Sequence, residues 1–319
     1  MSALLERLGI EAPVVQAGMA GGIAGPALAA AVSEAGGLGT LGTSEPDVLA
    51  AELEEARRLT GRPVAVNLLL PFTRRAHLPV AARADAVVTF WGRPRRPVPG
   101  VWLHQCGSVA EARAAYEAGA DGVIAQGVEA GGHVRGTIPA LELLERVRAA
   151  LPAGFTVLVA GGIAERDDVR AALDAGADAV VCGTRFVASE ESGARDGYRA
   201  RLVEARETVL TELFGLGWTA PHRVLWNAAA ERWLRRDRRG PAWVRALNRA
   251  TGPLRRAPEA AQARLVRLQR PNVPLLGPAP PSSRFPETLV DAGALYAGES
   301  VARIDAVRPA GDLVRSLTP

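Results

Sequence analysis

The 319-residue sequence predicts an α/β fold, a (β/α)8 TIM barrel with an additional helical C-terminal region. Three observations predict it. Eight short apolar runs alternate with alanine-rich stretches of helical rhythm, which argues a parallel α/β sheet, and eight is the count of a closed barrel. Most of these runs are continuously apolar rather than alternating, as strands covered on both faces should be. Finally, Ala112-Arg-Ala-Ala-Tyr-Glu-Ala-Gly-Ala-Asp121-Gly-Val-Ile aligns without gaps on Val169-Arg-Ala-Ala-Leu-Asp-Ala-Gly-Ala-Asp178-Ala-Val-Val. Each copy is a helix stopped by glycine and followed by a strand, the unit from which a barrel of equivalent steps is built.

In chain order the expected strands are Val14–Ala17, Leu38–Leu41, Val64–Leu69, Ala86–Phe90, Val101–Cys106, Gly122–Ala125, Thr156–Ala160 and Ala179–Cys182. Helical patterns fill most of the intervals, at Pro26–Ala35, Pro46–Leu59, Val109–Ala118, Leu141–Ala150 and Asp167–Ala175. Beyond about residue 195 the rhythm changes. Arg199–Phe214 reads as a helix and Val224–Leu234 as an amphipathic one. Arg232, Arg235, Arg236, Arg238, Arg239, Arg245, Arg249, Arg255 and Arg256 then concentrate positive charge, most simply as a solvated face with Trp233 and Trp243 packed inward. Pro271–Pro286 reads as an extended connection, and the tail from Tyr296 to Leu317 returns to a helical rhythm. The expected organisation is therefore a barrel core over 1–195, an arginine-rich helical excursion with its proline-rich connection over 196–290, and a terminal helix returning to the barrel over 291–319.

Composition narrows the chemistry. The chain contains no lysine, so Schiff-base catalysis, a lysine-anchored pyridoxal phosphate and a Walker lysine are excluded. Cys106 and Cys182 lack metal-ligand spacing and read as small buried hydrophobes; no metal is expected. No apolar run approaches the roughly 20 residues of a membrane helix, and the N-terminus lacks a basic segment followed by an apolar one. The expectation is a cytoplasmic enzyme acting on a small molecule, with no membrane partner. A nucleic-acid partner is disfavoured, and the oligomeric state stays open with a homodimer among the options.

The chemistry of a barrel sits in loops leaving the C-terminal ends of its strands. Here the first strand runs into Gln16-Ala-Gly-Met-Ala-Gly-Gly22, the third carries Asn67, and the sixth leads into Gln126-Gly-Val-Glu-Ala-Gly-Gly-His133. The seventh ends in Gly161-Gly162 and the eighth in Val181-Cys182-Gly183-Thr184. Glycine turns after strands seven and eight are the expected phosphate cradle of a barrel enzyme. The phosphate could belong to a substrate or to flavin mononucleotide (FMN). Asn67 and Gln126 favour the flavin, because side-chain amides both donate to and accept from a pyrimidine edge. His133 stands where proton transfer or anion stabilisation could occur.

Pro13-Val-Val-Gln-Ala-Gly-Met-Ala-Gly-Gly22, Ala35-Gly-Gly-Leu-Gly39, Val66-Asn-Leu68, the 126–133 segment, Ala160-Gly-Gly-Ile163 and Val181-Cys-Gly-Thr-Arg-Phe186 together resemble the nitronate monooxygenase family, formerly called 2-nitropropane dioxygenases. The resemblance covers most of residues 10 to 195 and, more weakly, the Tyr-Ala-Gly-Glu-Ser-Val301 tail. It implies an FMN-binding barrel without a metal. It implies that Ala17, Gly18 and Met19 line the flavin ring and that Asn67 and Gln126 bond its polar parts. Gly131, Gly132, Gly161, Gly162, Val181, Cys182, Gly183 and Thr184 would then hold the ribityl chain and phosphate, with His133 the active-site histidine. The chain departs from the family pattern in carrying Val181-Cys182 where many members have glutamine before the Gly-Thr pair. The implied reaction is oxidation of an alkyl nitronate by O₂ to a carbonyl compound and nitrite. The alternative is an NAD(P)H-dependent flavin reductase acting on an enoyl thioester or a quinone, because flavin-dependent enoyl-ACP reductases are similar through the same Glu-Ala-Gly-Gly-His element.

Overall fold

Val14–Gln16 (β1), Gly39–Leu41 (β2), Val64–Leu69 (β3), Ala86–Phe90 (β4), Val101–Cys106 (β5), Gly122–Gln126 (β6), Thr156–Ala160 (β7) and Ala179–Cys182 (β8) form one parallel sheet in the order β1-β8-β7-β6-β5-β4-β3-β2. A parallel Val15–Leu38 bridge joins β1 to β2, with Gln16 N donating to Leu38 O at 2.9 Å and Leu38 N to Val14 O at 3.0 Å, and so completes the ring. The computed structural model describes residues 2–257 and 259–319. Pro258 and the side chains of Arg256, Glu259 and Ala260, all within the arginine-rich stretch, lie outside the described residues.

Strand alternation sorts the side chains into two layers. Val15, Leu38, Ala65, Val88, Leu103, Ile124, Leu158 and Val181 point into the barrel, where Leu4, Leu5 and Ile10 of the N-terminal segment join them. Val14, Trp102, Val123, Val157, Val180 and Cys182 face outward and are covered by helices. The covering helices are Pro26–Glu34, Pro46–Leu59, Val109–Glu117, Ala140–Ala150 and Arg166–Asp174, together with the short His77–Ala81, whose Pro79 hides it from a periodicity reading. Residues 91–100 link β4 to β5 without a helix.

The internal repeat has a structural cause. Asp121 and Asp178 each stand just before a strand and return a carboxylate to the preceding one: Trp102 N donates to Asp121 Oδ2 and Val157 N to Asp178 Oδ2, both at 2.9 Å. Asp85 does the same for Val64 N at 2.9 Å. Gly119 and Gly176, at φ +84° and +95°, turn the chain from helix into the aspartate.

The region after β8 differs most from expectation. The helix expected over 199–214 is Asp196–Glu204 only. Thr208 and Val209 are β-branched, and Val209–Thr211 becomes a strand antiparallel to His222–Val224. The amphipathic stretch from Val224 likewise begins as strand. Its helix, Ala228–Trp233, starts only where the Asn227 side chain accepts from Ala230 N at 3.0 Å. Trp233 is half-buried, but Trp243 is 55 % exposed rather than packed inward. The tail is a 3-10 turn, Glu299–Arg303, and a helix, Ala310–Leu317, started by Pro309. That last helix packs on Pro26–Glu34 and Arg166–Asp174 and takes the eighth place in the outer ring. The excursion is thus inserted between β8 and the helix that completes it. No described helix is long and apolar enough to cross a membrane.

Candidate active site

A cavity of about 440 Å³ opens at the C-terminal ends of the strands, within the 300–1,000 Å³ range usual for ligand pockets. Ala17, Gly18, Met19, Asn67, Gln126, Gly131, Gly132, His133, Gly161, Gly162, Val181, Gly183 and Thr184 all line it. Cys182 is the exception. Alternation along β8 turns its side chain outward into the helix layer, where burial pushes its thiol up to about 12. It is an inert core thiol, not a wall of the cavity.

The floor is a layer of polar side chains. Thr40, Asn67, Gln105 and Gln126 stand on β2, β3, β5 and β6, each two residues beyond an apolar barrel residue: Leu38, Ala65, Leu103 and Ile124. Gln105 and Thr40 escaped the sequence reading, although the same period-2 register points to them. Thr40 Oγ1 is buried without a partner. Asn67 Nδ2 donates to Gly18 O at 3.3 Å, and Gly18 must be glycine: a Cβ there would lie 2.2 Å from Asn67 Cβ. Gln126 is differently engaged. Its Nε2 donates to His133 O and its Oε1 accepts from Arg135 N, both at 2.9 Å, so both amide atoms are committed to the loop that carries the histidine.

At the opposite side Gly161 and Gly162 take φ +121° and +76°, a conformation reserved in practice for glycine. Gly183 precedes the short helix Thr184–Val187, and a Cβ on it would meet only Ala17 Cβ at 3.7 Å. The C-terminal segment closes this side: Gly298 N donates to Thr184 Oγ1 at 2.8 Å, and Ser300 lines the cavity. Gly131 is required by that docking, since a Cβ would fall 2.5 Å from Gly298 N. Glu129, in the same signature segment, faces away from the cavity's chemistry. Its carboxylate accepts from Ala140 N at 3.0 and 3.1 Å and caps the Ala140–Ala150 helix.

His133 is held by the excursion, a dependence the sequence did not show. Gly132–His133 is a third strand on the Val209–Thr211/His222–Val224 ribbon, with His133 opposite His222. Around the imidazole stand Trp218 (ring centroids 4.0 Å apart), Tyr296 (5.3 Å), His222 (5.5 Å) and Trp91 (6.4 Å). Its Nε2 is buried without a partner. Burial and then neighbouring His222 hold its pKa well below the usual 6.5, so the ring is neutral. His222 is a purely structural histidine. Phe214 N donates to its Nε2 at 3.2 Å, so Nδ1 carries the proton and donates to Ala220 O at 2.8 Å; burial lowers its pKa to about 4. A neutral imidazole whose ring nitrogens make no hydrogen bond to the described residues, in an aromatic enclosure beside a polar floor, can accept a proton or receive a hydrogen bond from a substrate.

The chain matches the nitronate monooxygenase family model over residues 1–89 and 99–319. It is 35% identical over 289 residues to a nitronate monooxygenase of Pseudomonas aeruginosa, spanning 70% of this chain and 80% of that protein. It is 32% identical over 278 residues to (3aS,4S,5R,7aS)-5-hydroxy-7a-methyl-1-oxo-octahydro-1H-indene-4-carboxyl-CoA dehydrogenase of Mycobacterium tuberculosis, spanning 83% and 76%. Among solved structures, FabK from Thermotoga maritima superposes with a TM-score of 0.77 at 30% identity, over 99% of this chain and 94% of that one. Nitroalkane oxidase from Streptomyces ansochromogenes gives 0.76 at 32% identity, over 99% and 96%.

Proposed function

The chain belongs to the nitronate monooxygenase family, whose members are flavin-dependent oxidoreductases, and from that premise we propose that it binds FMN and oxidises alkyl nitronates with O₂. The observation that carries the proposal is the neutral, unpartnered His133 set between a floor of amide and hydroxyl groups and a pair of glycine turns. The donor set fits a flavin. Asn67, Gln105 and Thr40, whose hydroxyl lacks any protein partner, suit the pyrimidine edge. Ala17, Gly18 and Met19 line the cavity from the first loop, and the Gly161-Gly162 and Gly183-Thr184 turns bring backbone to its opposite side, where backbone N–H groups suit a phosphate.

When bound, the flavin supplies the acceptor through which electrons pass from nitronate to O₂. Overall, two nitronates and one O₂ give two carbonyl compounds and two nitrites, which balances atoms and charge. The protein's own contribution is positional. Gln126 pins the His133 backbone, and Trp218, Trp91 and Tyr296 pack around the imidazole and fix its orientation. If the substrate arrives as the nitroalkane, neutral His133 takes the α-proton. The test is nitrite release from ethyl nitronate without any nicotinamide, at two nitrites per O₂. Failure to release nitrite under those conditions would refute the proposal.

A second reading, reduction of an enoyl thioester or quinone with NAD(P)H, is favoured by two observations. FabK from Thermotoga maritima superposes over 99% of this chain, and the CoA-ester dehydrogenase relative spans 83% of it against 70% for the Pseudomonas nitronate monooxygenase. It predicts oxidation of NADH or NADPH that depends on such an acceptor.

A further inference from the structure

The wall of the cavity next to His133 is aromatic, and its construction bears on which substrates fit. Trp218 is 7 % exposed and packs on the imidazole with ring centroids 4.0 Å apart and the planes tilted by 33°. Two rings fix it edge-on, Phe72 at 5.2 Å and 84° and Trp91 at 5.4 Å and 80°. Trp91 is the single non-glycine among the described residues with a left-handed backbone, φ 59°. Strain of this kind persists where surrounding packing over-determines it, and such residues cluster at functional sites. Here the strained turn puts the Trp91 ring against both Trp218 and His133, with the Arg135 guanidinium over the Trp91 ring, 4.7 Å from its centroid. Tyr296, whose hydroxyl donates to Pro278 O at 2.7 Å, closes the same enclosure.

Charge is arranged in the opposite sense. Among the described lining residues one arginine, Arg284, reaches the cavity, and its guanidinium is already paired with Glu52. His77 is committed through both ring nitrogens to the backbone of Ser44 and Arg74. A second negative group on a substrate, beyond the nitronate itself, would therefore be desolvated without an uncommitted cation to meet it. A planar apolar group would instead meet aromatic side chains already held in place, Trp218, Phe72, Phe90 and Phe285 among them, with little ordering left to do.

We propose that Trp218 is a specificity-determining residue and that the substrate class of this site is nitronates bearing a planar apolar, aryl or fused-ring substituent, with small carboxylate-bearing nitronates disfavoured. This rests on the nitronate reading for its chemistry, but the selectivity belongs to the cavity and is measurable without turnover. The decisive experiment uses the flavin-loaded protein under anaerobic conditions. Binding of 2-methyl-2-nitro-1-phenylpropane and of 3-methyl-3-nitrobutanoate, which have no α-proton and so cannot become nitronates, is followed by the perturbation of flavin absorbance in the native chain and in Trp218→Ala and Trp218→Phe. The nitronates of 2-phenylnitroethane and 3-nitropropionate serve for turnover.

The native protein should bind the phenyl compound at least about tenfold more tightly. Trp218→Phe should keep that preference, and Trp218→Ala should reduce it to within about threefold, with flavin content unchanged as the control for folding. Equal or reversed affinities in the native protein would overturn the substrate class. A preference that survives in Trp218→Ala would overturn the role of Trp218. Nitrite release from the two nitronates is assayed separately. If neither nitronate yields nitrite but the binding preference holds, the oxidation chemistry fails and the selectivity stands.

Discussion

His133 acts, in this account, through being neutral and having ring nitrogens that make no hydrogen bond to the described residues. Its pKa is lowered by burial first, so protonation at working pH is not available to it. Turnover of a nitroalkane should accordingly be flat between about pH 6 and 8 in kcat/KM, and an inflection near 6.5 in that profile would contradict a buried neutral base. His133→Asn should lower nitroalkane turnover by roughly 10²–10⁴ while leaving preformed nitronate far less affected. A loss under about tenfold on nitroalkane, with flavin retained, would remove the base role. Two further histidines tie stability to pH. His104 and His222 are each pushed down to about 4 by burial, from an ordinary 6.5. Folded-state values below unfolded ones mean that the unfolded chain binds more protons in this window. Their contribution is fully present above pH 6.5 and is lost as pH falls toward 4, by on the order of 3 kcal/mol each at most. Denaturant titrations at pH 7 and pH 4.5 should show the drop.

At the scale of elements, the signature segment divides its labour. Gln126 and Gly131 hold the loop, His133 does chemistry, and Glu129 caps a helix. Glu129→Gln should cost about 0.5–2 kcal/mol in urea unfolding without abolishing flavin binding. Gly131→Ala should do the reverse of a mild change. Its Cβ would overlap Gly298 N, displace the Tyr296–Ser300 segment, and lower the flavin content of the purified protein. Much of this level was legible in the sequence. Eight apolar runs became eight strands within a residue or so of their expected ends, because strands buried on both faces leave an unbroken apolar signal. The repeat was readable because Asp121 and Asp178 do the same job. What escaped depends on contacts distant in sequence. Gly132–His133 is a strand only because His222–Val224 lies beside it, and Trp218 comes to His133 from 85 positions along the chain, through a ribbon whose Val209–Thr211 strand falls in a stretch of helical rhythm. Gln105 was hidden by its apolar neighbours in β5, and only register reveals that it points inward.

For the molecule as a whole, the region after β8 is an insertion between the last barrel strand and the helix that completes the outer ring, Ala310–Leu317. It supplies the strand that fixes His133 and the indole that covers it, so barrel and excursion should behave as one cooperative unit. A chain ending at residue 195 would lack Ala310, Leu313, Val314 and Leu317 from the largest core cluster. It should neither fold cooperatively nor retain flavin in a thermal melt. A soluble, flavin-binding 1–195 fragment would show instead that the barrel is independent. The central claim, that a nitronate is the electron donor, is tested most directly by an anaerobic absorbance spectrum of the holoprotein mixed separately with ethyl nitronate and with NADH or NADPH. The account predicts rapid loss of the oxidised flavin bands with the nitronate alone and their return, with nitrite, on admitting O₂. Bleaching by a nicotinamide only, with the nitronate inert, would contradict it.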